Sequence, residues 1–137
     1  MAIVGFSFTK INVEKNKPVQ GSVSVKNNIH IDDVKEENMN LGTQKQKILK
    51  INFTYTSQYN PDIGSINLQG ELFYSSETKV INKVLKEWKD KNKIPDEVMT
   101  PVINSILNRS NILALSLTKE VSLPPQLKLP KVQVQNK

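Results

Sequence analysis

Apolar residues recur at every second place through most of the first 75 positions and at helical spacing after that, so strands are predicted first and helices second. Phe6 and Phe8 alternate with Ser7 and Thr9. The phase then moves to Ile11 and Val13, which predicts a bulge or strong bend in the first strand. Asn16-Lys17-Pro18 breaks the run, and Val23 and Val25 alternate with Ser22, Ser24 and Lys26 in a second strand. Being close in sequence, these two strands are expected to pair as an antiparallel hairpin. Residues 27–46 are polar, carry Asp32, Asp33, Glu36 and Glu37 with Gly42 near the end, and are expected to form a loop with at most one helical turn. The next strand pair is the clearest. Ile51, Phe53 and Tyr55 alternate with Asn52, Thr54 and Thr56, and Ile66, Leu68, Leu72 and Tyr74 with Asn67, Gln69 and Glu71. Between them Pro61 presets φ for a turn, Asp62 can bond its own backbone, and Gly64 tolerates positive φ. One apolar face and one polar face predict an antiparallel sheet covered on a single side.

Beyond residue 75, Ile81, Val84, Leu85 and Trp88 fall on one helical face, with Ser76 as N-cap and Trp88 as the anchor of the helix on the sheet. Lys79, Lys83, Lys86 and Lys93 are placed on the opposite side. A second helix restarts at Pro95-Asp96-Glu97, where proline suits the first position and the acids suit the positive end of the dipole. Val98, Met99, Val102, Ile103, Ile106 and Leu107 form its apolar stripe, with Pro101 either inside the first two turns or at a kink. Residues 108–111 are expected to end it, and Leu113, Leu115 and Leu117 against Ala114, Ser116 and Thr118 suggest one more extended segment. Residues 123–137 then read as an extended arm, because Pro124, Pro125 and Pro130 bar a helix or a central strand. Its alternating Leu123, Leu127, Leu129 and Val132 must lie against something, either the chain's own core or a neighbouring subunit. The expected organisation is one α+β domain over 1–122, with about four antiparallel strands and two helices on one face, followed by that arm.

Composition narrows the function classes. The 137 residues are 37% hydrophobic and 23% charged, enough for one core and lean for two. The chain has no cysteine, which removes disulfides, thiolate metal sites and cysteine nucleophiles. No apolar run approaches the roughly 20 residues of a membrane helix, and the opening Met1-Ala2-Ile3-Val4-Gly5-Phe6 predicts no secretion leader, so a cytoplasmic protein is expected. The net charge of +6 invites a polyanion, yet it resides mainly in residues 76–137, and Arg109 is the sole arginine among 19 basic residues. Lysine supplies diffuse, salt-sensitive attraction rather than base reading. Nucleic-acid or ribosome contact through Lys79, Lys83, Lys86 and Lys93 is therefore an alternative of nonspecific kind.

No enzyme, cofactor or metal site is expected. His30 is the single histidine, and the acids around it lack the spacing and glycine of a calcium loop. No serine sits in a nucleophile elbow, and the five glycines form no phosphate-cradling motif. Phe53, Tyr55 and Tyr74, with Phe73, could form a base-stacking platform, but the first three lie on the face that the helices must cover and read as core. Asn52-Phe53-Thr54 and Asn108-Arg109-Ser110 match glycosylation acceptors by chance in an asparagine-rich chain.

The order of four strands, helices and a Pro-Leu arm is similar to the SecB-type protein-export chaperones, and to uncharacterised archaeal proteins of that fold. Pro125-Gln126-Leu127-Lys128-Leu129, followed by Pro130 and Val132, resembles the family's Pro-x-Leu-x-Leu stretch. The resemblance implies a bent four-stranded sheet with helices on one face, a dimer-of-dimers type of assembly, and apolar grooves that hold unfolded polypeptide. Two departures stand out. The stretch leads into a long helix in those chaperones, whereas only 132–137 remain here, and an extra segment 111–121 precedes the arm. The members that meet the translocase motor are also acidic, whereas this chain is basic. The expected function is a non-enzymatic, homo-oligomeric holdase that binds unfolded polypeptide through Leu123, Leu127, Leu129 and Val132, with protein export as the role the resemblance implies. Besides the nucleic-acid reading, the alternative is a structural subunit of a larger complex.

Overall fold

The computed structural model describes residues 2–127. Four strands, β1 (Ala2–Lys15), β2 (Ser24–Leu41), β3 (Gln44–Asn60) and β4 (Gly64–Ser75), precede two helices, α1 (Thr78–Lys91) and α2 (Asp96–Glu120). The strands form one antiparallel sheet in the order β1-β4-β3-β2. The expected β1–β2 hairpin does not form. β1 lies against β4, and β2 runs on through the segment expected to be a loop and folds back on β3. The reason is local to Gly42: Leu41 pairs with Gln44, and the two-residue connection needs positive φ at its first place, which Gly42 supplies at 66°.

The expected bulge in β1 is present as a register shift between Phe8 and Lys10. β1 has another shift between Ile3 and Gly5, and a shift between Ile31 and Asp33 leaves Asp32 unpaired in β2. In the β3–β4 turn the positive φ belongs to Asp62, at 51°, and not to Gly64. Gly64 is required for space instead, since a Cβ there would lie 2.5 Å from the Glu14 carbonyl oxygen.

The dry face carries Leu49, Ile51, Phe53, Tyr55 and Tyr59 from β3 and Ile66, Leu68, Leu72 and Tyr74 from β4, all buried. Over it α1 sets Ile81 and Val84, and α2 sets Val98, Val102, Ile106, Ser110, Ala114 and Thr118. Phe73, on the other face, is half-buried. α1 starts after Glu77 rather than Ser76, whose hydroxyl is buried without a partner.

The larger correction is to α2, which does not stop at 108–111; no extended segment 111–121 exists. The apparent stop, Asn108-Arg109-Ser110-Asn111, supplies contacts around the helix. Arg109 stacks over the Phe6 ring at 4.9 Å, and Asn111 accepts a 2.8 Å hydrogen bond from the Tyr55 hydroxyl. Low helix propensity costs only a few tenths of a kcal/mol at each such residue, which these contacts outweigh.

The helix ends in a left-handed cap. Ser122 (φ 55°) donates to the Lys119 carbonyl and Leu123 to that of Thr118, and Leu123 buries its side chain beside the last turns. A serine Cβ disfavours this conformation, so Ser122→Gly is expected to raise the unfolding free energy by about 1 kcal/mol in a denaturant titration.

Candidate functional site

Because β2 is an edge strand, its inward side chains are covered from one flank only. Ile29 and Ile31 line an open groove together with Met99 and Ile103 of α2, and Trp88 and Ile94 line it too. This cavity holds about 620 Å³. It is rimmed by His30, Asp32 and Asp33 on the β2 bulge, by Asp96, and by Asn92 and Lys93. Ile29 also lines a second cavity of about 260 Å³, with Asn27, Asn28, Tyr55, Leu107, Asn111 and Leu127. Half-exposed Ile29, Trp88, Met99 and Ile103, with exposed Leu107, leave an apolar strip in water that core packing does not use up.

The strip's far end already holds a peptide, the chain's own residues 124–127. The Tyr59 hydroxyl donates to the Pro124 carbonyl at 2.6 Å, and the Asn27 side-chain amide donates to the Gln126 carbonyl at 3.0 Å. The buried Gln126 in turn donates its side-chain amide to the Asn111 carbonyl at 2.9 Å. Two of these three bonds grip main-chain carbonyls, a mode indifferent to sequence. Burial, with the neighbouring Tyr55, pushes the Tyr59 hydroxyl up to about 12. The unfolded phenol ionises near 10, so its contribution to stability is complete below pH 10 and disappears as pH rises toward 12. Tyr59→Phe is expected to remove that alkaline component, read as a flatter fall of denaturation midpoint between pH 9.5 and 11.5.

The polar groups compose no catalytic arrangement. The exposed His30 bonds Asp32 at 2.8 Å, Asp32 also accepts from Thr54, and Asp33 pairs with Lys35 at 3.5 Å. Among the described residues no three His, Asp or Glu side chains gather as a metal site, and no helix is long and apolar enough to cross a membrane.

The residues singled out from sequence are distributed unevenly. Leu123 is 6% exposed and belongs to the chain's own smaller core, with Tyr55, Tyr59, Ile63, Ile66, Leu68 and Ala114. Leu127 lines the narrower cavity at 37% exposure. Leu129 and Val132 lie outside the described residues. Lys79, Lys83 and Lys86 share an exposed face of α1, where Lys83 pairs with Glu97 at 3.4 Å, while Lys93 stands apart at the groove. Sequence reasoning missed Ile29, Ile31, Met99 and Ile103 as a site. The Ile29–Ile31 alternation was the available signal, hidden among polar neighbours.

No protein-family model and no curated protein sequence matches the chain. Among solved structures it is similar to the Mycobacterium tuberculosis Rv1957 SecB-like chaperone, determined in complex with a ChAD peptide from the Rv1956 HigA1 antitoxin. That similarity has a TM-score of 0.56 at 12% sequence identity and covers 95% of this chain and 89% of that one. With its four-stranded antiparallel sheet and two helices, the chain has an α+β, SecB-like fold.

Proposed function

We propose that this chain is a non-enzymatic holdase that takes an extended, apolar stretch of unfolded polypeptide into the groove between β2 and α2. The observation that carries the reading is the mode of holding in residues 124–127. A segment outside helix and strand, bent at Gln126 and Leu127, lies at the end of an apolar strip and is fixed through main-chain carbonyls by Tyr59 and Asn27. Any extended chain offers those carbonyls, and apolar side chains at alternate places would settle on Ile29, Ile31, Met99 and Ile103. The SecB-like neighbour, solved with a peptide bound, supports the same reading.

Two finer elements belong to the proposal. The first is self-association, supported by apolar residues left open on the β1 edge strand, Val4 at 42% and Ile11 at 52% exposure. The second is service in protein export, tested by whether bound clients are enriched in chains bearing export leaders. The direct experiment is suppression of aggregation of a chemically unfolded client by the purified chain without nucleotide. Suppression near one holdase oligomer per client, together with elution above monomer size, is expected. Unchanged aggregation in several-fold excess overturns the reading.

A further inference from the structure

The buried apolar side chains fall into two groups, and one line across the molecule divides them. Leu49, Ile51 and Phe53 of β3 and Leu72 and Tyr74 of β4 belong to the larger core, with α1 and α2 as far as Ile106. Tyr55, Tyr59, Ile66 and Leu68 belong to the smaller core, with Ala114 and Leu123. The division follows a single rung of the sheet, Phe8–Gly70–Phe53–Ile31, which crosses all four strands. Both edge strands bulge beside it. Thr9, next to Phe8, and Asp32, next to Ile31, are left out of the pairing. Gly70 brings no side chain to the rung, and a hollow of about 320 Å³ opens there between Thr9, Asp32, Gln69 and Glu71. Where α2 crosses the line, Ser110 stands between Ile106 of one core and Ala114 of the other. It is 0% exposed, and its hydroxyl finds no partner among the described residues. Phe8 and Ile29 alone, among the described residues, pack against both groups.

We propose that this line is a hinge between two cooperative units, at which the smaller end, including α2 beyond Ser110, opens while the larger end stays folded. Three features make the smaller end the weaker unit. It has seven buried apolar side chains against thirteen in the larger core. Its share of α2 is joined to the rest through Asn108-Arg109-Ser110-Asn111, residues of low helix propensity. The helix then ends on Ser122 in a left-handed conformation that a side chain disfavours. The two cavities divide in the same way. Ile31, Trp88, Met99 and Ile103 around the wider one pack on the larger core, whereas Tyr59, which holds Pro124, belongs to the smaller. Opening therefore uncovers the end of the apolar strip without dismantling the wider cavity. Only this link to client rests on the holdase reading above; the hinge stands apart from it.

Residue-resolved hydrogen exchange on the full chain tests the hinge. Amides of residues 56–60, 64–68 and 113–119 are expected to exchange through one shared opening. That opening should be at least about a hundredfold more populated than the one that frees residues 49–53 and 98–106. A single common opening for both sets overturns the hinge. Two mild core substitutions make the test directional. Ile51→Val, in the larger core, is expected to speed the second set about threefold or more and leave the first unchanged, because the smaller end opens without disturbing that core. Ile66→Val, in the smaller core, is expected to speed both sets. Equal response of the two sets to Ile51→Val overturns the hinge. A reduced, carboxymethylated and so permanently unfolded protein serves as client probe. Ile66→Val is expected to bind it about threefold more tightly, because the open form is more populated, and Ile51→Val with unchanged affinity. Equal affinity of the two variants overturns the link to client. Client binding by a chain with one common opening rejects the hinge alone, and a directional exchange pattern in a chain that binds no client rejects the holdase reading alone.

Discussion

Phe53→Ala is expected to destabilise the chain by about 3–5 kcal/mol, lowering the thermal midpoint by about 10–20 °C, as read by calorimetry or circular dichroism. Phe53 is 0% exposed and lies where three strands meet. Its ring is 5.2 Å from that of Phe6 and 6.1 Å from that of Phe8, and those two stack edge to face at 5.1 Å. Beneath them β4 carries Gly70, the residue paired with Phe53 on one side and with Phe8 on the other. The aromatic ring fills the space that a glycine leaves, which is why its removal opens a cavity rather than a gap that neighbours can close. A Cβ at position 70 would stand 2.6 Å from both the Phe53 ring and the Ser7 carbonyl oxygen. Gly70→Ala is therefore destabilising alone. Combined with Phe53→Ala it should cost less than the sum of the two, because the ring clash is gone while the carbonyl clash persists.

That cluster also shows which parts of the fold were legible in the sequence. Alternation in β3 and β4 is strict because both strands are central and their dry face is fully covered, so Ile51, Phe53 and Tyr55 identify themselves. The bulge in β1 is written as a change of phase between Phe8 and Ile11. Strand order is not written locally at all: β1 reaches β4 across some sixty residues, and proximity in sequence favoured the wrong partner. β2 was obscured for two reasons. As an edge strand it shows few apolar residues, and the bulge at Asp32 moves the inward set from Ile29 and Ile31 to Val34. In α2 the second half buries Ser110, Ala114 and Thr118, small residues that carry no apolar signal, while Leu113, Leu115 and Leu117 happen to alternate. The groove's β2 wall, Ile29 and Ile31, comes from a misread segment, whereas its α2 wall, Met99 and Ile103, lies where helical spacing was plain, so the groove became visible only once β2 was continuous.

The same geometry shows what residues 123–127 contribute to folding. Leu123 completes the cap of α2 and the smaller core, and Gln126 ties the returning chain to Asn111 and Asn27. Up to that point the arm is structure. Leu127, at 37% exposure, lines the narrower cavity instead. Arg109 follows a similar logic. The chain's one arginine, though exposed, is stacked on Phe6, which leaves lysines as most of the outward cations and limits what a polyanion could be offered.

Leu107→Asp is expected to weaken client holding by at least about tenfold, and Ile103→Asp added to it should abolish suppression of aggregation at equimolar holdase. Leu107 stands midway along the α2 wall and is already exposed, so its replacement removes little from the core and should leave the denaturation midpoint nearly unchanged. A client side chain that settles there loses apolar contact and meets a carboxylate that must shed water without a partner. Ile112→Asp supplies the control. Ile112 lies on the same helix, five residues on, and is 60% exposed, yet it lines neither cavity. If holding depends on general surface hydrophobicity, the two substitutions will act alike and the groove has no special part in it. If the groove is the site, Leu107→Asp abolishes most binding while Ile112→Asp leaves it intact, because only the former changes the strip shared by β2 and α2.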